Sequence, residues 1–272
     1  MPQPVEDTNN LYLNTAHYYD MDTASYSERD LAFYLDYARR RGGRVLELAC
    51  GTGRVTLPLL HAGFEVWALD LSEPMIEELS AKAGQLPSDL RERLHVTHGS
   101  MDAFSFDRLF DLIIVPFRGF QALIDESRID ACLSCVRRHL APGGEFIVNT
   151  FAVRMNEQLS PYTGELTDWK RRDSRSGEWV RRARRILGVD RDRQVLYPEV
   201  IYYVGRDGRE ANRVSDRLAL RYYYEYQLQV RLLTSGFRIV ASYGDFDRRP
   251  VDTGTEFIYV CRNSVGLPAL GA

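Results

Sequence analysis

A chain of 272 residues has room for one large domain, or for one domain with a sizeable insertion. Hydrophobic residues at 44% and charged residues at 27% make a globular composition, which excludes a disordered or fibrous chain. The formal net charge of -3 gives no overall basic field, and no apolar run approaches the roughly 18 residues of a membrane span, so neither nucleic acid nor membrane is an expected partner.

The opening MPQPVEDTNN is polar, with no apolar stretch behind it, so no signal peptide is read and a cytoplasmic protein is expected. Residues 1–43 hold no strand pattern. A tyrosine-dense stretch (Tyr12, Tyr18, Tyr19, Tyr26) precedes a helix that Ser27 and Asp30 can cap. This helix runs to about Arg41, with Leu31, Tyr34, Leu35 and Ala38 on its apolar face. From Arg44 onwards, short apolar runs at 44–50, 65–71, 94–100, 110–116 and 145–151 alternate with amphipathic stretches. Buried strands separated by helices predict a doubly wound α/β fold, with helices on both faces of a parallel sheet.

The punctuation agrees. Gly63 follows the first helix of this series, and Pro142-Gly143-Gly144 closes the helix before the fifth strand. Ser72 can cap the second, with Pro74 in its first turn. Pro58 predicts that the helix after Gly53 is short, late or kinked.

Residues 154–222 change character, with 16 basic and 11 acidic residues and the tyrosines Tyr197, Tyr202, Tyr203 and Tyr222 between them. A hairpin turn is read at Asp207-Gly208. A helix near 225–235 and strands at 238–246 and 256–262 then complete the core. The expected organisation is a helical N-terminal cover at 1–43, a core at 44–153 and 224–264, and an inserted antiparallel β lid at 154–223. Four cysteines form no disulfide framework, and Cys132 and Cys135 fall inside a helix with no second pair, so no metal site is expected.

The chemistry concentrates in VLELACGTGR (45–54), where a buried strand runs into Gly51-Thr52-Gly53 and then into a helix. Such a turn lets the backbone approach a ligand closely, and the helix start offers free N–H groups to an anion. The third glycine of G-x-G-x-x-G is missing, since Thr56 stands there. Asp70 ends the second strand, where a carboxylate can accept from both hydroxyls of a ribose.

With these residues in view, the sequence resembles the class I S-adenosylmethionine-dependent methyltransferases. The likeness is carried in order by Glu47-Leu-Ala-Cys-Gly51-Thr-Gly53-Arg54, Leu69-Asp70-Leu71-Ser72-Glu73-Pro-Met75, Phe110-Asp111-Leu-Ile-Ile and Leu140-Ala-Pro-Gly-Gly-Glu. Tyr19-Asp20 and VPFRGFQAL resemble the branch that methylates small molecules. The resemblance covers about residues 15–152, and the closing helix and two strands fit the family's seven-stranded Rossmann-like sheet.

It implies S-adenosyl-L-methionine as cofactor. Ala49, Cys50, Gly51, Thr52, Gly53 and Arg54 would surround its methionine part, with Glu47 near the amino group. Asp70 would bind the ribose, Leu71 and Met75 would pack on the adenine, and Ser100, Met101 and Asp102 would reach the adenine edge. The family commonly has aspartate where Ser100 stands, with Asp102 two places on. Pro116 and Phe117 would border the cofactor after the fourth strand, and Tyr19 and Tyr26 would close over it.

A sulfonium methyl is already electrophilic, so catalysis is mainly alignment in a water-poor, aromatic pocket. Tyr19, Phe117 and Gln121 are the expected catalytic residues; Tyr12, Arg118, Phe120 and Gln121 would meet a small-molecule acceptor. His17 is the histidine nearest the motifs and is read as a surface or packing residue. Nitrogen is slightly preferred over oxygen as the acceptor, by likeness to amine methyltransferases of natural-product pathways. Alternatives are a non-methylating relative that binds the same cofactor and a nicotinamide-dependent oxidoreductase. The missing third glycine speaks against the latter. A tyrosine-rich lid also leaves room for a homodimer.

Overall fold

The computed structural model describes residues 10–23, 27–154, 159–206 and 209–264. A 3-10 turn (Ala16–Tyr18) leads into α1 (Tyr19–Thr23) and α2 (Ser27–Arg41). Then come β1 (Arg44–Leu48), α3 (Thr56–His61), β2 (Glu65–Asp70), α4 (Glu73–Ala83), α5 (Ser88–Arg91) and β3 (Leu94–His98). They are followed by β4 (Phe110–Val115), α6 (Glu126–His139) and β5 (Leu140–Phe151). An antiparallel group follows: β6 (Tyr162–Arg172), β7 (Trp179–Asp190), β8 (Val195–Arg206), β9 (Arg209–Arg217) and β10 (Leu220–Arg221). The chain ends its described course in α7 (Glu225–Thr234), β11 (Phe237–Tyr243) and β12 (Glu256–Asn263).

Seven strands form a mixed sheet in the order β11-β12-β5-β4-β1-β2-β3, parallel from β5 to β3 and antiparallel at β12 and β11. The central strands are covered on both faces, which is why their sequences are nearly unbroken apolar runs. Leu46, Ile113 and Val115 pack on one face with Phe120, Phe146 and α6, while Val45, Leu112 and Ile114 pack on the other against Phe33, Tyr34 and Tyr37 of α2. The second sheet has the order β10-β8-β7-β6, with β9 also paired to β8. Among the described residues no helix is long and apolar enough to cross a membrane.

Local differences from the sequence pattern have physical reasons. β5 starts at Leu140 rather than near 145, because Leu140 already pairs with Phe110 of β4, so Pro142-Gly143-Gly144 lies within the strand. The helix after Gly53 starts late, at Thr56, and lasts six residues with Pro58 in its first turn. Ser72 does cap α4, accepting from Met75 N–H at 3.3 Å. Asp30 is buried and takes a bidentate pair with Arg54 (2.8 and 2.5 Å). The turn read at Asp207-Gly208 lies outside the described residues; β8 and β9 pair on either side of it.

The segment 10–23 fastens the two sheets to each other. Asp216 of β9 accepts from the N–H groups of Asn14 (3.0 Å) and Thr15 (2.9 Å) and from the Thr15 hydroxyl (2.7 Å). Asn10 exchanges two bonds of 2.9 Å with the backbone of Ala219. Tyr18 stacks on Tyr202 at 5.2 Å, and Ser72 donates to the carbonyl of Leu11.

Candidate active site

Strand order reverses between β1 and β4, and in open α/β sheets ligands sit outside the carboxyl ends of the strands at that point. A cavity of about 780 Å³ lies there, roofed by segment 10–23 and by the second sheet. Its floor is the loop after β1. Ala49 and Gly51 have φ near +55°, a left-handed conformation that turns the backbone under the cavity. A Cβ on Gly53 would stand 2.3 Å from Leu79 Cδ1, so α4 can pack this closely only against glycine. Thr52 does not line the cavity; its hydroxyl donates to Asp20 at 2.5 Å, and Asp20 also accepts from Lys82 at 2.7 Å.

Asp70 faces the cavity from the end of β2. Its carboxylate accepts from Gly51 N–H at 2.7 Å and Ser72 N–H at 2.8 Å, so it is aimed by backbone rather than by its own rotamer. Burial raises its pKa, opposed by those backbone bonds. Leu71 and buried Met75 stand beside it. Glu47, buried on the floor, accepts from Thr56 at 2.5 Å, and burial pushes it up to about 8. Burial likewise raises the thiol of Cys50, so it stays protonated on the wall. Across the floor, Ser100 and Met101 line the cavity with Arg128. Asp102, set back, accepts from Ser100 and from Arg128 Nε at 2.5 Å, which lowers its pKa.

After β4 the chain makes a strained turn with Phe117 at φ +49° and Arg118 at φ +69°. Pro116, Phe117 and Arg118 therefore border the cavity. Arg118 donates to Glu256 at 2.5 Å, and Arg54 lies over the Phe117 ring at 4.9 Å. Tyr19 meets Phe117 (6.4 Å) and Tyr12 (5.4 Å) edge-on. Burial holds the phenols of Tyr12 and Tyr19 well above their usual range, so they act as neutral O–H groups.

Two expected residues turn the other way. In the 3-10 turn Gly119–Ala122, Phe120 points into the core against Tyr223, and Gln121 is fully buried. The Gln121 amide donates to Arg221 O at 2.7 Å and accepts from Phe151 N–H at 3.0 Å, joining β10 to β5 below the cavity. Neither lines it. Gly53 also lies behind the wall, His17 faces outward against Glu78, and Tyr26 lies outside the described residues.

The second sheet contributes lining residues that the sequence did not single out. Ile186, Leu196, Pro198, Val200, Leu218 and Leu220 form an apolar wall. Next to it Arg182 pairs with Asp22 at 3.1 Å and with Asp168, while Asp22 accepts from Trp169 Nε1–H at 3.2 Å. Among the described residues no group of three His, Cys, Asp or Glu side chains is arranged to hold a metal.

Residues 45–144 match the family described as methyltransferase domain. Over those residues the chain is similar to a methyltransferase domain, and its seven-stranded sheet has the fold of solved methyltransferases. The cypemycin N-terminal methyltransferase of a Streptomyces species is 32% identical over 103 residues, 38% of this chain and 40% of that one. The chain spans about half the length, or less, of the curated relatives it matches. The solved CcbJ methyltransferase from Streptomyces caelestis aligns at a TM-score of 0.80, with 22% identity, over 95% of this chain and all of that one, a likeness of fold. The glycopeptide N-methyltransferase MtfA aligns at 0.59 with 25% identity, over 88% of this chain and 91% of that one.

S-adenosylmethionine is the cofactor of such a domain, and the residues present fit it. Asp70 offers carboxylate oxygens, acceptors suited to the hydroxyls of a ribose, beside the apolar Leu71 and Met75. Glu47, a carboxylate made weakly acidic by burial, suits an ammonium that would restore its charge. The left-handed loop Ala49–Gly51 between them borders the same cavity.

Proposed function

We propose that the protein transfers a methyl group from S-adenosylmethionine to a small molecule, with nitrogen slightly preferred over oxygen as the acceptor atom. One observation carries the reading: Glu47, Gly51 and Asp70 line the same cavity as Tyr12, Tyr19, Phe117 and residues of the second sheet. A cavity roofed by the cover and the lid suits a small acceptor. The domain division follows, with residues 1–43 as cover, 44–153 and 224–264 as core, and 154–223 as lid.

Bound cofactor supplies an electrophilic methyl carried on a sulfonium. The chain's own residues then have three tasks. Asp70, Leu71 and Met75 hold one end, and Glu47 with the loop Ala49–Gly51 holds the other. Tyr19 and Phe117, in edge-to-face contact at 6.4 Å, line the centre with aromatic surface and keep water out. Tyr12 and the lid's apolar wall hold the acceptor in line. The cypemycin relative is named for methylation at an N-terminus and MtfA as an N-methyltransferase, which supports nitrogen as acceptor. Exposed Tyr162, Leu166 and Trp179 on the lid are the surface on which a homodimer would form.

Calorimetric titration with S-adenosylhomocysteine, followed by mass-spectrometric screening of amines, alcohols and phenols, tests this. Micromolar binding and a gain of one methyl on an acceptor are expected; folded protein that binds neither S-adenosylhomocysteine nor S-adenosylmethionine sinks the proposal.

A further inference from the structure

Four carboxylates line the cavity among the described residues: Asp22, Glu47, Asp70 and Asp168. Glu47 and Asp70 belong to β1 and β2, on the cofactor side. Asp168 lies between two guanidinium groups, those of Arg182 and Arg184. Asp22 is placed differently. It stands on α1 three residues from Tyr19 and shares its wall with Tyr12. One of its oxygens accepts from Trp169 Nε1–H at 3.2 Å and the other pairs with Arg182 at 3.1 Å. Both partners come from the lid, and they hold the carboxylate in one orientation while using two of its roughly four acceptor positions.

We propose that Asp22 binds the acceptor nitrogen by accepting one of its N–H bonds, and that it thereby selects a neutral amine over an ionised phenol or carboxylate. This rests on the methyl-transfer reading of the cavity. In the transfer the nitrogen lone pair becomes the new N–C bond, the electron pair of the broken S–C bond stays with sulfur, and positive charge passes from sulfur to nitrogen. A carboxylate already bonded to that nitrogen interacts more strongly with it after the transfer than before, so it favours the transition state. The surplus N–H proton stays hydrogen-bonded to Asp22 and goes to solvent as the product leaves. An anionic oxygen in the same place would face a like charge. Among the described residues no histidine lines the cavity, and the phenols of Tyr12 and Tyr19 remain protonated, so none of these brings a negative charge to the nitrogen.

The test compares wild type with Asp22→Asn, nearly the same shape without the charge, and with Trp169→Phe, which removes only one donor to Asp22. Each is assayed for S-adenosylhomocysteine affinity and for turnover of amines against alcohols and phenols of matched skeleton, phenethylamine with 2-phenylethanol and p-cresol among them. Asp22→Asn should bind S-adenosylhomocysteine within about twofold of wild type, yet lose about 10- to 100-fold in kcat/KM on amines, the worth of a hydrogen bond to a charged group. Its turnover of hydroxyl compounds should not fall in proportion, and Trp169→Phe should show a smaller shift in the same ratio. Unchanged amine turnover in Asp22→Asn overturns the inference, as do parallel losses on amines and hydroxyl compounds or a wild-type preference for phenols. Wild type that binds S-adenosylhomocysteine but methylates nothing overturns the methyl-transfer reading itself, and the role of Asp22 with it.

Discussion

Gly119 and Ala49 meet so closely that a Cβ on Gly119 would lie 2.7 Å from the Cβ of Ala49 and 3.2 Å from Val115 Cγ1. Ala49 ends the β1 strand region in a left-handed conformation, and Gly119 closes the left-handed pair Phe117-Arg118 after β4. The two loops that border the cavity therefore rest on each other at one point. Gly119→Ala should separate them, lowering stability by about 1–3 kcal/mol through overpacking and weakening S-adenosylhomocysteine binding as well. Urea unfolding and calorimetry read the two effects. A variant as stable and as tight as wild type would mean that the loops yield without cost.

Asp70 ties Gly51 to Ser72 through one carboxylate, so its removal should disturb the ribose position and the floor loop together. Asp70→Ala is expected to weaken S-adenosylhomocysteine by about 10- to 100-fold, with Asp70→Asn intermediate because its amide keeps one acceptor oxygen. Calorimetry on both variants checks this, and equal affinity in all three proteins would remove Asp70 from the cofactor site.

Glu47 makes a pH prediction with a definite sign. Its carboxyl is pushed up to about 8 by burial, from an ordinary 4.5. Between those values the unfolded chain has lost the proton and the folded chain keeps it, so folding binds a proton and stability falls as pH rises from about 4.5 to about 8. The fall is on the order of a few kcal/mol. Glu47→Gln should flatten that decline, measured as the difference in urea-unfolding free energy between pH 5.5 and pH 8.5. A variant with the wild-type slope would assign the pH dependence to another group.

Asp216 is buried and satisfies two backbone N–H groups of segment 10–23 together with the Thr15 hydroxyl. Asp216→Ala leaves these donors unpaired, at about 1–3 kcal/mol for each buried group. Hydrogen exchange should speed up in residues 10–23 well before the central strands change. Unaltered protection there would show that Asn10 and Tyr18 hold the segment without Asp216.

The core was readable because its constraints are local. A strand buried on both faces must be apolar throughout, and glycine stands at two of the floor loop's positive-φ positions, Gly51 and Gly53, so 44–54 and 65–75 announce themselves. Gln121 shows the limit. Its position directly after β4 and Phe117 pointed to the cavity, but a single 3-10 turn rotates it into the core, and nothing in PFRGFQAL specifies that rotation. Asp168, Trp169 and Arg182 were hidden for a related reason. Whether a residue of an antiparallel strand faces the cavity depends on register, and β6 and β7 carry irregularities at 162/166 and 167/169 that alternate counting misses. Asp22 had a faint signal, a second aspartate two places after Asp20 on a short helix.

The fastening of segment 10–23 by Asp216 and Ala219 spans about two hundred residues of chain. During synthesis, therefore, the first part of the roof to be made is among the last to find its seat. The central strands can pair while this segment waits, and closing so long a loop is entropically slow. Until the ribosome has released β9, the segment has its bonds to the core, from Ser72 to Leu11 and from Thr52 and Lys82 to Asp20, but lacks its bonds to the lid. A nascent chain therefore leaves Tyr12, Tyr19 and Phe117 partly uncovered. Chaperone dependence should accordingly be greatest for chains cut short just before residue 216.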